Sequence, residues 1–244
     1  MGCLIPVLET SPHLLSLVRC IILRGIPRGD EAGVLDNLKL LVSAPDLRTL
    51  ELGFAGRSWN AGYFRYLLAH CSSTLTELRL LHCHDYAGLV HDYALPPVTQ
   101  QCRPLPRINR LTLTFSSGAI AVLNEPLFSP FLTHMRHLGY LESPHDSLGP
   151  LLCRIGQNVE SLIVDTNVRD ALGLRLEQLV LRKLLSLRAL VMEVMVVTPR
   201  YETRLIPPLD REEVVRAIEK SMPRLTENRI LSVRFFFEKK RGLY

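Results

Sequence analysis

Apolar residues along this chain recur in one order: apolar, two variable positions, apolar, one variable position, apolar. LRTLEL at Leu47 and LTELRL at Leu75 are the strictest copies. Looser copies begin at Val18 (VRCIIL), Ile108 (INRLTL), Met135 (MRHLGY), Val159 (VESLIV), Leu187 (LRALVM) and Ile230 (ILSVRF). Their starts lie 29, 28, 33, 27, 24, 28 and 43 residues apart. Leucine-rich repeats recur at about 20–29 residues, a window that holds most of these gaps.

The hexamer by itself decides nothing in so aliphatic a chain. LDNLKL at Leu35 and LEQLVL at Leu176 match it inside stretches that read as helix. Flanks and alternation separate the two cases. Pro45, Pro106 and Pro223 stand shortly before copies, where a helix must stop for a strand to begin. Thr49, Glu51, Glu77, Arg79, Arg110, Thr112 and Thr114 occupy variable positions, giving the period of two expected of a strand with one wet face. The apolar positions predicted to be buried are Val18, Ile21, Leu23, Leu47, Leu50, Leu52, Leu75, Leu78, Leu80, Ile108, Leu111, Leu113, Val159, Leu162 and Val164. Cys83 and Asn167 fill the next position of the longer consensus, where a side chain bonds backbone groups freed at the bend out of a strand.

Between the copies the period changes to that of a helix. Asp30 to Ser43 aligns Val34, Leu35, Leu38, Leu41 and Val42 on one stripe, and Asn60 to His70 aligns Tyr63, Phe64, Leu67 and Leu68. Asp210 and Glu213 form a capping-box pattern opening a helix that buries Val214, Val215, Ile218 and Met222. One strand and one helix per repeat calls for parallel strands with crossovers, and no single repeat can bury its own apolar face. The fold class expected is α/β: a single domain over 1–244 forming a curved, right-handed leucine-rich-repeat solenoid. Seven or eight parallel strands would line its concave side and helices its convex side. Insertions near 84–107 and 194–210, both with Pro-Pro, read as enlarged loops, either functional or merely tolerated. An all-helical solenoid is the competing architecture; it leaves the alternation at Leu47, Leu75 and Ile108 without a cause.

Composition narrows the class of protein. With 47% hydrophobic and 22% charged residues in 244, the chain has ample means to form a core, and intrinsic disorder is excluded. No apolar run reaches the roughly 18–20 residues of a spanning helix, so no membrane partner is expected. Net charge is +5, and Glu227–Tyr244 holds a surplus of three, which reads as a solvated terminal segment rather than a nucleic-acid footprint. Cys3, Cys20, Cys71, Cys83, Cys102 and Cys153 are scattered and read as reduced, mostly buried thiols of an intracellular protein, cytoplasmic or nuclear. The opening MGCLIPVLETSPH lacks a basic n-region, and Pro6 stands where a myristoylation pattern wants Ser or Thr.

SPHLLSLVRCIILRGIP, a short helix, and then SAPDLRTLELG together resemble the leucine-rich-repeat region of F-box proteins of mushroom-forming fungi, a resemblance that runs from about Leu8 to Phe237. It implies a non-enzymatic protein-interaction module akin to the substrate-recognition repeats of a ubiquitin-ligase subunit. In that family an F-box precedes the repeats and docks a Skp-family adaptor. About a dozen residues precede the first repeat here, too few for such a module, so adaptor binding is expected only if an F-box lies outside this chain. A truncated paralogue without a partner is the third possibility.

Catalytic constellations are scarce. The chain has no G-x-S-x-G, P-loop, G-x-G-x-x-G or H-E-x-x-H, and Ser11, Ser116 and Ser117 have no evident His–Asp partners. No catalytic residue, cofactor or metal is expected. The rival functional class is a metal- or small-molecule-binding protein built on the loop at 82–92, where His82, Cys83, His84, Asp85, His91 and Asp92 cluster; neighbouring residues of an extended segment point to opposite sides, which argues against it. His134 and His137 read as one surface histidine and one on a strand face. The expected partner is a protein, bound on the concave face by Arg24, Glu51, Glu77, Arg79, Arg110, Thr112, Thr114, Asp165, Glu193 and Arg234. Glu51 and Arg79 hold equivalent positions in consecutive repeats and should lie side by side.

Overall fold

A computed structural model describes residues 4–26, 34–54, 59–83, 105–141, 148–167, 184–196 and 211–237. The chain divides into two compact units, Met1–Arg136 and His137–Tyr244.

In the first unit, helix α1 (Leu4–Thr10) and a 3-10 turn (Pro12–Leu17) lead into strand β1 (Cys20–Ile26). Helix α2 (Val34–Val42), β2 (Thr49–Phe54), α3 (Ala61–His70), β3 (Glu77–Leu81), β4 (Arg110–Thr114), α4 (Ser117–Leu123) and α5 (Ser129–Leu132) follow. Strands β1 to β4 pair in parallel, each beside the next in sequence. The second unit repeats the scheme with β5 (His137–Leu141), α6 (Leu148–Ile155), β6 (Ser161–Asn167), β7 (Ala189–Val196), α7 (Arg211–Ser221), α8 (Pro223–Glu227) and β8 (Leu231–Phe237). Strands β5 to β8 are again parallel and sequential. Both units are α/β with wholly parallel pairing.

Each of the eight hexamer copies holds a strand that begins one or two residues after the copy does. The reason is visible in register. Leu50 aligns with Ile21 and Leu78, Leu52 with Leu23 and Leu80, and Leu78 and Leu80 with Leu111 and Leu113. These rows form one apolar face, and Leu50, Leu52, Leu78, Leu80, Leu111 and Leu113 have no exposed surface. Burying a leucine so completely contributes roughly 2 kcal/mol. The helices supply the matching surface: Leu38, Leu41 and Val42 of α2, and Phe64, Leu67 and Leu68 of α3, are likewise buried. Helix α2 lies beside α3, and α3 beside α4. Asn60 caps α3 by accepting the Tyr63 N–H at 2.9 Å. Arg65 of α3 clasps Glu125, just beyond α4, at 2.5–2.9 Å.

Some expectations need correction. Val18 and Leu23 are half-buried, because among the described residues β1 has a strand on one side only and its neighbourhood is correspondingly less covered. The other thirteen positions expected in the core are buried. Val215 is half-buried, whereas Val214, Ile218 and Met222 are buried as the stripe requires. Strand β7 runs on to Val196, so the second insertion does not begin at 194. Cys71 and Cys83 are buried, but Cys20 and Cys153 are exposed; all four are free thiols. The decoy at Leu35 does lie in helix α2. The decoy at Leu176, the capping residue Asp210 and nearly all of the 84–107 insertion lie outside the described residues.

Candidate functional site

The period of two that buries leucine on one side of β1 to β4 turns the variable positions to the other. Register sorts them into rows across β1 to β4. Cys20, Thr49, Glu77 and Arg110 form one row; Ile22, Glu51, Arg79 and Thr112 form the next; Gly53, Leu81 and Thr114 continue in a third. Arg24 joins this face through an irregularity. Between Leu23 and Ile26 strand β1 advances three residues while β2 advances two. Gly25 takes up the extra step with φ +68°, a conformation that glycine reaches without the penalty a Cβ imposes. Arg24 then lies against Gly53, whose hypothetical Cβ would be 3.6 Å from the Arg24 Cγ.

The charged groups are coupled across three strands. The Arg24 Nε–H donates to Glu51 Oε1 at 2.7 Å. Arg79 approaches the other oxygen of Glu51 at 3.7 Å, and so the expected neighbours do lie side by side. The stronger contact of Arg79 is with Glu77 on its own strand: Nε and Nη2 donate to Glu77 Oε1 at 3.0 and 2.9 Å. Residues i and i+2 share a strand face, which allows this pairing. Thr49 donates to the remaining oxygen of Glu77 at 3.3 Å. The hydrogen bond to Glu77 raises the Arg79 guanidinium above its ordinary pKa, opposed by partial burial and reinforced by the charges of Glu77 and Glu51. Arg110 aligns with Glu77 in register, yet that carboxylate is already engaged. Arg110 is exposed and makes no ion pair among the described residues. Thr112 and Thr114 are half-buried beside it.

The remaining expected site residues stand in the second unit. Asp165, Glu193 and Arg234 share one row across β6, β7 and β8. Glu193 is half-buried and Arg234 exposed, and the Asp165 side chain lies outside what is described. The row beside them, Gly139, Ile163, Val191 and Ser232, carries no charge. The ion pairs described on a sheet face, Arg24–Glu51, Arg79–Glu51 and Arg79–Glu77, belong to the first unit.

At the exits of β3 and β4 sit features that the sequence shows less plainly. His82 and Phe115 both have left-handed backbones, φ 58° and 48°, and their rings stack in parallel with centroids 5.8 Å apart. One residue further on, Cys83 and Ser116 turn inward and are buried. The Cys83 thiol lies 3.6 Å from the Leu81 carbonyl, the role expected for the consensus position. Ser116 does the same work in the next repeat: its hydroxyl lies 2.9 Å from the Thr114 carbonyl and 3.1 Å from that of Leu80, and it accepts the Cys83 N–H at 3.4 Å. Lacking a catalytic partner in the sequence, Ser116 would pass for an ordinary serine. Its distance of 33 residues from Cys83, equal to the gap between the two hexamers, is the signal that identifies it.

This geometry bears on metal binding at the 82–92 loop. His82 is exposed and Cys83 buried, so these two neighbours face opposite ways. The remaining residues of that cluster lie outside the described ones. His134 is exposed, and His137 opens β5 half-buried. No group of three or more His, Cys, Asp or Glu side chains is arranged to hold a metal among the described residues. No helix among them is long and apolar enough to cross a membrane. Comparison with family models, curated proteins and solved structures finds no match to this chain.

Proposed function

We propose that this chain is a non-enzymatic protein-interaction module, a leucine-rich-repeat solenoid whose concave side is the polar sheet face and binds a polypeptide. The observation that carries the proposal is the grid formed by β1 to β4. Its side chains are fixed in parallel register, mostly polar on one face, above an aliphatic layer whose leucines on β2 to β4 have no exposed surface. Such a surface is preformed, so a partner meets little further ordering cost on this side. The repeats' resemblance to those of F-box proteins supports a place as the substrate-binding half of a ubiquitin ligase in the cytoplasm or nucleus, with a Skp-family adaptor engaged only if an F-box lies outside this chain.

The test is affinity capture from the native cell with the parent chain and with Arg110→Glu as baits, read by quantitative mass spectrometry. Arg110 has no ion pair to lose among the described residues, and its reversal, which sets an exposed carboxylate beside Glu77, costs the fold about 1 kcal/mol or less. Loss of a specific polypeptide from the variant's capture, with the variant still unfolding cooperatively within a few degrees of the parent, is the expected result. Identical capture by parent and variant would remove the partner site from this face.

A further inference from the structure

We infer that the polar face of the first unit presents positive charge and selects an acidic, extended polypeptide segment; this rests on the protein-binding reading above and specifies the chemistry of the partner. By composition the face is almost balanced, with Arg24, Arg79 and Arg110 against Glu51 and Glu77. Exposure breaks the balance. The Glu51 side chain is 6% exposed and that of Glu77 20%, whereas Arg24 keeps 70% and Arg79 43%. The carboxylates lie low on the sheet, and guanidinium groups stand over them. An approaching partner therefore meets cations, with the compensating charge beneath.

Arg110 adds to this field without being neutralised, because Arg79 and Thr49 already occupy the Glu77 carboxylate that lies in register with it. Arg24 and Arg79 retain donors as well. Each guanidinium has five N–H groups in a planar fork that fits carboxylates. Of these, Arg24 uses its Nε–H toward Glu51, and Arg79 directs Nε and Nη2 toward Glu77. Complementary charge of this kind governs choice of partner and rate of encounter more than total affinity.

A polypeptide is favoured over nucleic acid. The strand positions of this face carry no aromatic ring on which a base could stack, and single-stranded binding relies on such platforms. Three arginines above two carboxylates also make a thin counterpart for a phosphate backbone. Four strands about 4.8 Å apart span roughly 14 Å, the length of about four or five extended residues. The segment recognised is accordingly short.

The experiment is fluorescence anisotropy of the full chain with three labelled peptides of about ten residues: alternating Glu-Ser, its Gln-Ser counterpart and its Lys-Ser counterpart. Oligothymidylate of similar length is a fourth probe. The Glu-Ser peptide is expected to bind about tenfold or more tightly than the Gln-Ser peptide, and to weaken as salt rises. Arg110→Glu should weaken it about tenfold and Arg110→Gln less, about threefold. Equal binding of the Glu-Ser and Gln-Ser peptides, preference for Lys-Ser, or indifference to Arg110→Glu overturns the inference. Oligothymidylate binding as tightly as Glu-Ser also overturns it, as does failure of Glu-Ser to bind. None of these results touches the capture experiment, where a non-acidic polypeptide lost on Arg110→Glu would uphold the interaction module while the inference falls.

Discussion

Glu51 offers a stringent test of how this sheet holds charge. Its side chain is 6% exposed, while its two guanidinium partners keep 70% and 43% of theirs in water. The desolvation cost therefore falls mainly on the carboxylate, and the partners differ in what their removal leaves behind. Glu51→Gln takes away the buried charge and strands nothing, since water solvates Arg24 and Glu77 holds Arg79; the expected loss is about 1 kcal/mol or less. Arg24→Met with Arg79→Met leaves the carboxylate buried without a counter-charge, a change that costs about 3–5 kcal/mol when a pair is fully enclosed. The lower end applies, about 3 kcal/mol, because this network is open on its outer side. Glu77 also loses its arginine, but that pair is partly exposed and adds at most about 1 kcal/mol. Adding Glu51→Gln to the double variant removes the stranded charge and returns about 2 kcal/mol. Urea unfolding of the parent and the three variants, with m-values checked for constancy, measures all of these. The reasoning fails if Glu51→Gln alone is as damaging as the double arginine variant, or if the triple variant is no more stable than the double.

Two further predictions concern buried groups. Ser116→Ala should cost about 1–2 kcal/mol in the same assay, since it removes a buried hydroxyl that accepts the Cys83 N–H and donates toward the Leu80 and Thr114 carbonyls. Ser116→Cys, which places there the residue that serves the preceding repeat, should recover part of that loss; equal damage by both would contradict a shared role. Burial pushes the Cys71 thiol from 9.0 to about 12 and the Tyr63 phenol from 10.0 to about 12. The folded protein then keeps protons that the unfolded chain releases, so these groups leave stability unaffected below about pH 9 and lower it as pH rises toward 12. The urea midpoint should fall across that range, and Cys71→Ala with Tyr63→Phe should flatten the fall; an unchanged slope would show that neither group is held protonated by the fold.

The strands were most legible where two independent signals coincide, at Leu47, Leu75 and Ile108. At Leu47 the spacing places a repeat and the alternation of Thr49 and Glu51 with Leu50 and Leu52 makes it a strand. At Leu35 the same hexamer lies in α2, because Leu38, Leu41 and Val42 continue the helical period through and beyond it. The arrangement of charge was legible only in part. Placing Glu51 beside Arg79 follows from counting positions in consecutive repeats. Nothing in the counting shows that Arg24 covers Glu51 more closely, because that contact depends on an extra residue in β1 and a glycine opposite, Gly53. Nor does it show that Arg79 turns to Glu77 on its own strand. An expectation of mixed charge on this face was therefore sound in composition, but exposure is a property of the folded arrangement. The exposed Cys20 is a similar case: a small apolar residue usually buried, here at the outward position of a strand that has a neighbour on one side only among the described residues.

The period of two separates what this sheet needs for stability from what it can use for recognition, but the separation differs from strand to strand. Leu111 and Leu113 of β4 belong wholly to the core, while Arg110, Thr112 and Thr114 contribute nothing to it. Their side chains could be exchanged for others of similar size with little effect on the fold. On β1 to β3 the outward positions are tied to one another. Changing Arg24 or Arg79 alters the surroundings of a buried carboxylate, so a substitution that adjusts partner choice there also alters stability. This makes reversal at Arg79 unsuitable as a pure test of binding, and places the free choice of specificity on β4. A partner acquired by variation in this sheet would be selected first through Arg110 and its two threonines, with the arginine–glutamate lattice of the first three strands providing a fixed positive ground beside them.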